Sequence, residues 1–252
     1  MRMNPKLKKR KRIILGLIPV YIIVLILIST LIYLSISSKP MAEAYTAMES
    51  DSSITVVNDG NWISFTPTEN VSTTGFIFYP GGKVGHESYA IIARNIALEG
   101  YPVFIIKMPF DLAIFSPTKG GKVIDLHPEI TKWVIGGHSL GGAMSARFVY
   151  ESPELFDGLI LLASYPAESN NLTSYSQSVL SIYGSLDGVV SVSIPDTLDL
   201  LPANTTLLEI VGGNHAYYGS YGEQRGDNPA TITRADQQNQ TVIAVINFLN
   251  GL

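Results

Sequence analysis

The chain of 252 residues contains no cysteine. That absence excludes disulfides, a thiolate metal site and a cysteine nucleophile. A domain exported from the cytoplasm would therefore be stabilised without cross-links. Acidic residues are missing before Glu43, and no charge of either sign occurs from Ile13 to Ile36. Histidine is scarce as well: only His86, His127, His138 and His215 are present, so few side chains can serve as a neutral general base. No internal repeat or low-complexity stretch is present.

The charge-free run is preceded by Arg2, Lys6, Lys8, Lys9, Arg10, Lys11 and Arg12. As a helix it would reach about 36 Å, enough for a hydrocarbon core of about 30 Å. The one-sided basic cluster predicts a cytoplasmic N-terminus with the remainder outside. Tyr33 stands near one end, where an interfacial ring is expected. A cleaved signal peptide is the alternative, with Ala42-Glu43-Ala44 as a cleavage site, but its apolar region is ordinarily shorter. The expected organisation is a basic cytoplasmic tail over 1–12, a transmembrane signal anchor over 13–36, a polar tether over 37–53 and a catalytic domain over 54–252.

Beyond the run, ten Lys and Arg face 21 Asp and Glu, a formal charge of about −11 that the whole-chain value of −4 conceals. So acidic a domain makes nucleic acid an unsuitable partner. Asn70, Asn171, Asn204 and Asn239 each begin an Asn-x-Ser/Thr triplet, which matters only in a host that glycosylates.

Asn58-Asp59-Gly60-Asn61 between two apolar stretches predicts a hairpin over 54–65. Apolar strands are then expected over 74–79, 102–108, 132–136, 158–163, 179–183 and 205–210. Helices are expected over 86–98, about 119–131 (broken by Pro128), 140–151 and 234–249. Such alternation predicts a mostly parallel sheet covered by helices on both faces. Sites in such sheets form at the carboxyl ends of strands.

The sharpest local signal is Trp133-Val134-Ile135-Gly136-Gly137-His138-Ser139-Leu140-Gly141-Gly142. It reads as a buried strand, a Gly-x-Ser-x-Gly turn and a helix, the pattern that exposes a serine nucleophile. In this arrangement an acid and then a histidine follow the serine along the chain. His215 is the only histidine after Ser139. Asp187 follows a strand directly, in Gly184-Ser185-Leu186-Asp187-Gly188, whereas Asp196 and Asp199 read as solvated charges and Glu209 lies within a strand pattern. The oxyanion donors expected are the backbone N–H groups of Leu140 and of Gly82, with Lys83 as the alternative to Gly82. No Gly-Lys-Ser/Thr follows Gly81-Gly82 at phosphate-loop spacing. His138 reads as packing and His86 as structural. Tyr217, Tyr218 and Tyr221 could line an acyl pocket or cover the end of the sheet.

With Tyr79-Pro80-Gly81-Gly82-Lys83-Val84, Lys107-Met108-Pro109-Phe110, the serine motif, Tyr183 to Gly188 and Gly212-Gly213-Asn214-His215-Ala216, the chain resembles the α/β-hydrolase superfamily. Within it, the chain resembles the small bacterial family 5, related to dienelactone hydrolases. The likeness covers roughly residues 74–250. Dienelactone hydrolases proper use a cysteine nucleophile where this chain has Ser139. The resemblance implies an α/β-hydrolase fold and a serine hydrolase that needs no metal or organic cofactor. Only about 15 residues separate the strands at 158–163 and 179–183, too few for a large cap. The expected partner is therefore a short or small soluble acyl ester, with no obligate protein partner. The alternatives are an amidase or peptidase using the same triad, or a non-catalytic cell-surface binding domain.

Overall fold

The computed structural model describes the chain from Pro5 to Leu252 and divides it at Ser37/Ser38 into two units. The first holds helix α1, Pro5–Ser35. Residues 1–4 of the expected basic tail lie outside the described residues, as do the side chains of the rest of that tail. Among the described residues no helix is long and apolar enough to cross a membrane. The expectation of a transmembrane helix over 13–36 thus gains no support from them.

The second unit is built on one eight-stranded sheet in the order β1-β2-β4-β3-β5-β6-β7-β8. The strands are Ile54–Asn58, Trp62–Pro67, Thr74–Tyr79, Val103–Ile106, Lys132–His138, Gly158–Leu162, Ser178–Gly184 and Thr206–Ile210, β1 to β8 in chain order. The β1–β2 hairpin is antiparallel, as is its junction with β4; every other pairing is parallel. The hairpin forms where Asp59 accepts the N–H groups of Asn61 and Trp62. The helices of this unit are α2 (Ala42–Thr46), α3 (Ala90–Leu98), α4 (Gly121–Leu126), α5 (Leu140–Glu151) and α6 (Arg234–Asn250).

Period-2 alternation divides the core between the two faces. Phe76, Phe78, Val103, Ile105, Val134 and Ile160 pack with Ile92 and Ile96 of α3 and Val242, Val245 and Leu249 of α6. Their neighbours Ile77, Tyr79, Phe104, Ile106, Ile135 and Leu159 pack with Val123 of α4 and Ala146, Phe148 and Val149 of α5. Because both faces are covered, β3 and β4 are apolar and buried at nearly every position. Burying each such side chain fully is worth roughly 1.5–3 kcal/mol.

Three stretches differ from expectation. The first turn of the helix expected at 86–98 is a 3-10 turn, His86–Tyr89, and α3 begins only at Ala90. The helix expected over 119–131 shortens to α4, ending two residues before Pro128. Residues 38–53 are packed rather than a tether. Ser38 donates to the Lys83 carbonyl at 2.8 Å, Met41 donates to the Ser220 carbonyl at 2.8 Å, and Ala44 is fully buried. Arg94 closes the segment by donating to the carbonyls of Ala47 and Glu49 and to the Asp51 carboxylate. Between β6 and β7 the only helical element is the 3-10 turn Glu168–Asn170.

Candidate active site

Ser139 caps β5 and precedes α5 with φ 52° and ψ −123°. An L-residue pays of order 1–3 kcal/mol for such a backbone, so the surroundings must impose it. They do so by contacts on both sides. Ser139 N–H donates to the Leu162 carbonyl at 2.9 Å, and the Ser139 carbonyl accepts the Ser164 hydroxyl at 2.7 Å. The turn also requires glycine at Gly141: a Cβ there would stand 2.2 Å from the Tyr79 carbonyl oxygen and 2.3 Å from that of Pro80. The close approach of α5 to β3 is what lifts the serine to the sheet's carboxyl edge.

His215 lies just beyond β8, and its Nδ1 is 2.7 Å from Asp187 Oδ2 beyond β7. Both side chains are almost completely buried. The other Asp187 oxygen accepts the N–H groups of Val189 and Val190 at 2.8 and 2.9 Å. Burial pushes the Asp187 carboxyl up, but the hydrogen bond and charge of His215 and the two backbone donors outweigh it. The group sits below the ordinary aspartate value. Asp196 and Asp199 lie in the 3-10 stretch Ile194–Leu200 and Glu209 is exposed on β8. Among the described residues, none of these three bonds to His215. With Nδ1 committed to Asp187, the base available for proton transfer is Nε2.

Ser139 and His215 line one cavity of about 360 Å³, with Leu140, Ala143, Ala163, Ser164, Tyr165, Ala167, Val189, Val190 and Ser191. No charged side chain joins them on that wall. Among the described residues, no hydrogen bond closes between the Ser139 hydroxyl and His215. Such bonds commonly tighten only when substrate is bound.

In the loop after β3, the N–H groups on either side of Gly82 are engaged. Lys83 N–H donates to the Asp111 carbonyl at 2.7 Å, and Gly81 N–H donates to the Tyr89 hydroxyl at 3.0 Å. Among the described residues, Gly82 N–H has no acceptor. Leu140 N–H, at the first position of α5, has no intrahelical acceptor either. The two residues are neighbours: a Cβ on Gly82 would lie 3.0 Å from Leu140 Cδ2. Two unpaired donors thus stand side by side next to the serine.

The aromatic trio after His215 does not line the cavity. Tyr218 and Tyr221 are buried in the core, and Tyr217 lies under the Arg234 guanidinium, 4.2 Å from ring centroid. His86 is buried beside Glu87, with its Nδ1 3.3 Å from the carboxylate.

Sequence patterns did not point to Asp227. Its carboxylate accepts backbone N–H groups from Gly188 (3.0 Å), His215 (3.3 Å), Ala216 (2.8 Å) and Asn228 (2.9 Å). It thereby joins the acid loop to the histidine loop. Gln237 of α6 completes the seating by pairing with both the N–H and the carbonyl of Asn214. Neither residue carries a motif, since their partners are backbone groups.

The pattern of the alpha/beta hydrolase family matches residues 75–239. No curated protein sequence matches the chain. Among solved structures, Est1E from Butyrivibrio proteoclasticus aligns with a TM-score of 0.55 at 15% identity, over 79% of this chain and 98% of its own. A dienelactone hydrolase from Anabaena variabilis gives 0.55 at 15% identity, over 78% and 97%. A predicted CIB-like hydrolase from Thermoplasma acidophilum gives 0.53 at 16% identity, over 79% and 98%. At these identities the structures speak for the fold, and the pattern match carries the kinship: the chain belongs to alpha/beta hydrolase family 5.

Proposed function

We propose that the protein is a serine hydrolase acting on carboxylic esters with a short or small acyl group. The observation that carries this reading is the seating of His215, held by Asp187 at 2.7 Å on the wall of the cavity that Ser139 also lines.

Ser139 Oγ attacks the ester carbonyl while His215 Nε2 takes the hydroxyl proton. Negative charge gathers on the carbonyl oxygen, where the Leu140 and Gly82 N–H groups supply donors that need no reorganisation. The imidazolium returns its proton to the departing alcohol. A water, deprotonated by the same Nε2, then splits the acyl-enzyme, and the imidazolium returns that proton to Ser139 Oγ as the acid leaves. Asp187 fixes the tautomer and stabilises the imidazolium without taking its proton. The uncharged wall favours an apolar acyl group over an ionised one, and the short β6–β7 connection, with only the 3-10 turn Glu168–Asn170, adds no large cap to cover a long one. No step calls for a metal or organic cofactor.

The reading is tested by labelling the full-length chain with a fluorophosphonate, beside Ser139→Ala, and then by a p-nitrophenyl ester series matched with anilides. Labelling that depends on Ser139, with turnover highest for short esters, is the expected result. Dominant anilide cleavage would move the assignment to an amidase. A well-folded chain that never labels would make it a binding domain.

The same proposal includes an N-terminal anchor, single-pass, with the N-terminus cytoplasmic and the catalytic domain outside. Its support is the sequence: a charge-free run over 13–36 behind seven basic residues. Extraction of cell membranes with alkaline carbonate tests it. Release of the protein into the supernatant would count against an anchor.

A further inference from the structure

His138 is a fully buried histidine with no part in the chemistry above, and its surroundings connect separate parts of the site. Its Nδ1 lies 2.9 Å from the Tyr89 hydroxyl, and that hydroxyl accepts the Gly81 N–H at 3.0 Å. Gly81 is seated tightly on the pair: a Cβ there would stand 2.8 Å from both His138 Nδ1 and Tyr89 Oη. On its other side the His138 ring lies 4.5 Å from the His215 ring, centroid to centroid. Along the chain it is bonded to Ser139. Tyr89 is itself fixed against Phe78 of β3, ring to ring at 4.8 Å.

Proton count sets the direction of this chain of bonds. Tyr89 Oη has one proton. If Gly81 donates to the oxygen, that proton goes to His138 Nδ1, and His138 carries its own on Nε2. That nitrogen is buried without a hydrogen-bond partner. An imidazolium would place a second donor on Nδ1 and leave the Tyr89 proton without an acceptor in a site closed to water. Burial first, and the neighbouring His215 charge next, hold His138 well below the ordinary histidine range, against a weaker upward pull from the His215 backbone, which lies near without closing a hydrogen bond. A neutral His138 is the state this hydrogen bonding requires.

We propose that Tyr89 and His138 are positioning residues that set the Gly81–Gly82 loop relative to Ser139 and His215, so that the Gly82 N–H meets the oxyanion. The inference rests on the serine-hydrolase reading above. It extends that reading to two side chains that touch no substrate. Gly81 N–H is fixed by Tyr89 and Lys83 N–H by Asp111, which leaves Gly82 N–H, between them, as the one N–H of the three without an acceptor among the described residues. Loss of the Tyr89 hydroxyl would loosen one of those two fixings, and small displacements of a catalytic donor cost up to about 100-fold in rate.

The test uses the full-length chain with Tyr89→Phe, His138→Asn and His138→Phe. The quantities read are kcat and KM on a p-nitrophenyl ester, the inhibition constant of an alkylboronic acid that becomes tetrahedral on serine, and amide hydrogen exchange across residues 79–85. Tyr89→Phe is expected to lower kcat about 10- to 100-fold and weaken the boronate by the same factor. KM is expected to stay within about twofold, because a loss confined to the transition state leaves ground-state binding intact. Exchange in 79–85 should quicken. His138→Phe should behave like Tyr89→Phe, whereas His138→Asn, whose side-chain oxygen can accept the Tyr89 proton, should recover most of the activity. Wild-type kcat and exchange in Tyr89→Phe would overturn the proposal, as would His138→Asn performing no better than His138→Phe. Should Tyr89→Phe not fold, the two His138 variants decide. If the wild-type chain neither labels nor turns over any ester, the hydrolase reading falls, and the exchange measurement still decides whether Tyr89 and His138 hold the loop.

Discussion

Gly188 and Asp227, 39 residues apart, are joined by the Gly188 N–H donating to the Asp227 carboxylate at 3.0 Å. The same carboxylate accepts the His215 and Ala216 N–H groups, so one side chain sets the spacing between the acid loop and the histidine loop. Asp227→Asn keeps the shape but turns an N–H₂ toward backbone donors. Hydrogen bonds to a charged group are worth about 1.5–3 kcal/mol, and a loss of roughly that size is expected in urea unfolding. The kcat of Asp227→Asn should fall by about tenfold or more as the Asp187–His215 geometry loosens. Native kcat with normal stability would show that Asp227 has no influence on the pair.

Asp187 makes a second prediction, with a pH signature. In the folded chain Asp187 sits below the ordinary aspartate value, so its contribution to stability is present above the unfolded value and lost as pH falls through the folded one. The wild-type chain should therefore lose stability on acidification below about pH 4, and Asp187→Asn should flatten that slope. At neutral pH the same variant should lose roughly 10³- to 10⁴-fold in kcat, because the imidazole is no longer held in the required tautomer. Denaturant unfolding at a series of pH values, beside steady-state kinetics, checks both. An unchanged acid slope would separate Asp187 from the stability of the fold.

Gly141 gives a prediction about the elbow. A methyl at this position would meet two backbone carbonyl oxygens, of Tyr79 and Pro80, at 2.2 and 2.3 Å. Neither is the end of a flexible side chain, so the clash can be relieved only by moving α5 away from β3. Gly141→Ala is expected to destabilise by about 3 kcal/mol or more, at the severe end for a single substitution. It should also abolish phosphonate labelling even where the protein remains soluble. Full labelling by a folded Gly141→Ala would mean that the strained Ser139 backbone does not depend on this contact.

Much of this was legible in the sequence, for a physical reason. Ser139, Asp187 and His215 each follow an apolar strand, and a parallel sheet gathers such positions at one edge. The unbroken apolar run Phe76-Ile77-Phe78-Tyr79 marks a strand covered on both faces, although which residue goes to which face shows only in the structure. What escaped is held by the backbone. The packed segment over 38–53 looks like a tether because its residues are polar and small, yet Ser38 and Met41 fix it through main-chain bonds. Asp227 looks like a surface charge because its four partners are N–H groups scattered along the chain. His138 and Tyr89 lie 49 residues apart, and only the fold brings them within 2.9 Å.

The cavity wall yields a prediction about chain length. Ala167 is exposed and sits at the rim of the space that Ser139 and His215 line, outside the buried core. A large side chain there would occupy volume needed by a longer acyl group without touching the serine, the histidine or the oxyanion donors. Ala167→Trp is thus expected to leave acetyl ester turnover within about twofold, since surface substitutions away from packed features usually change stability by less than 0.5 kcal/mol. For hexanoyl and longer esters, each methylene excluded from an apolar pocket is worth about 1–3 kcal/mol, so kcat/KM should drop by tenfold or more. A p-nitrophenyl series from acetate to octanoate reads this directly. Equal losses at every length would place the acyl group elsewhere, with Ala167 facing the leaving alcohol, and a matched series varying the alcohol would then show the discrimination.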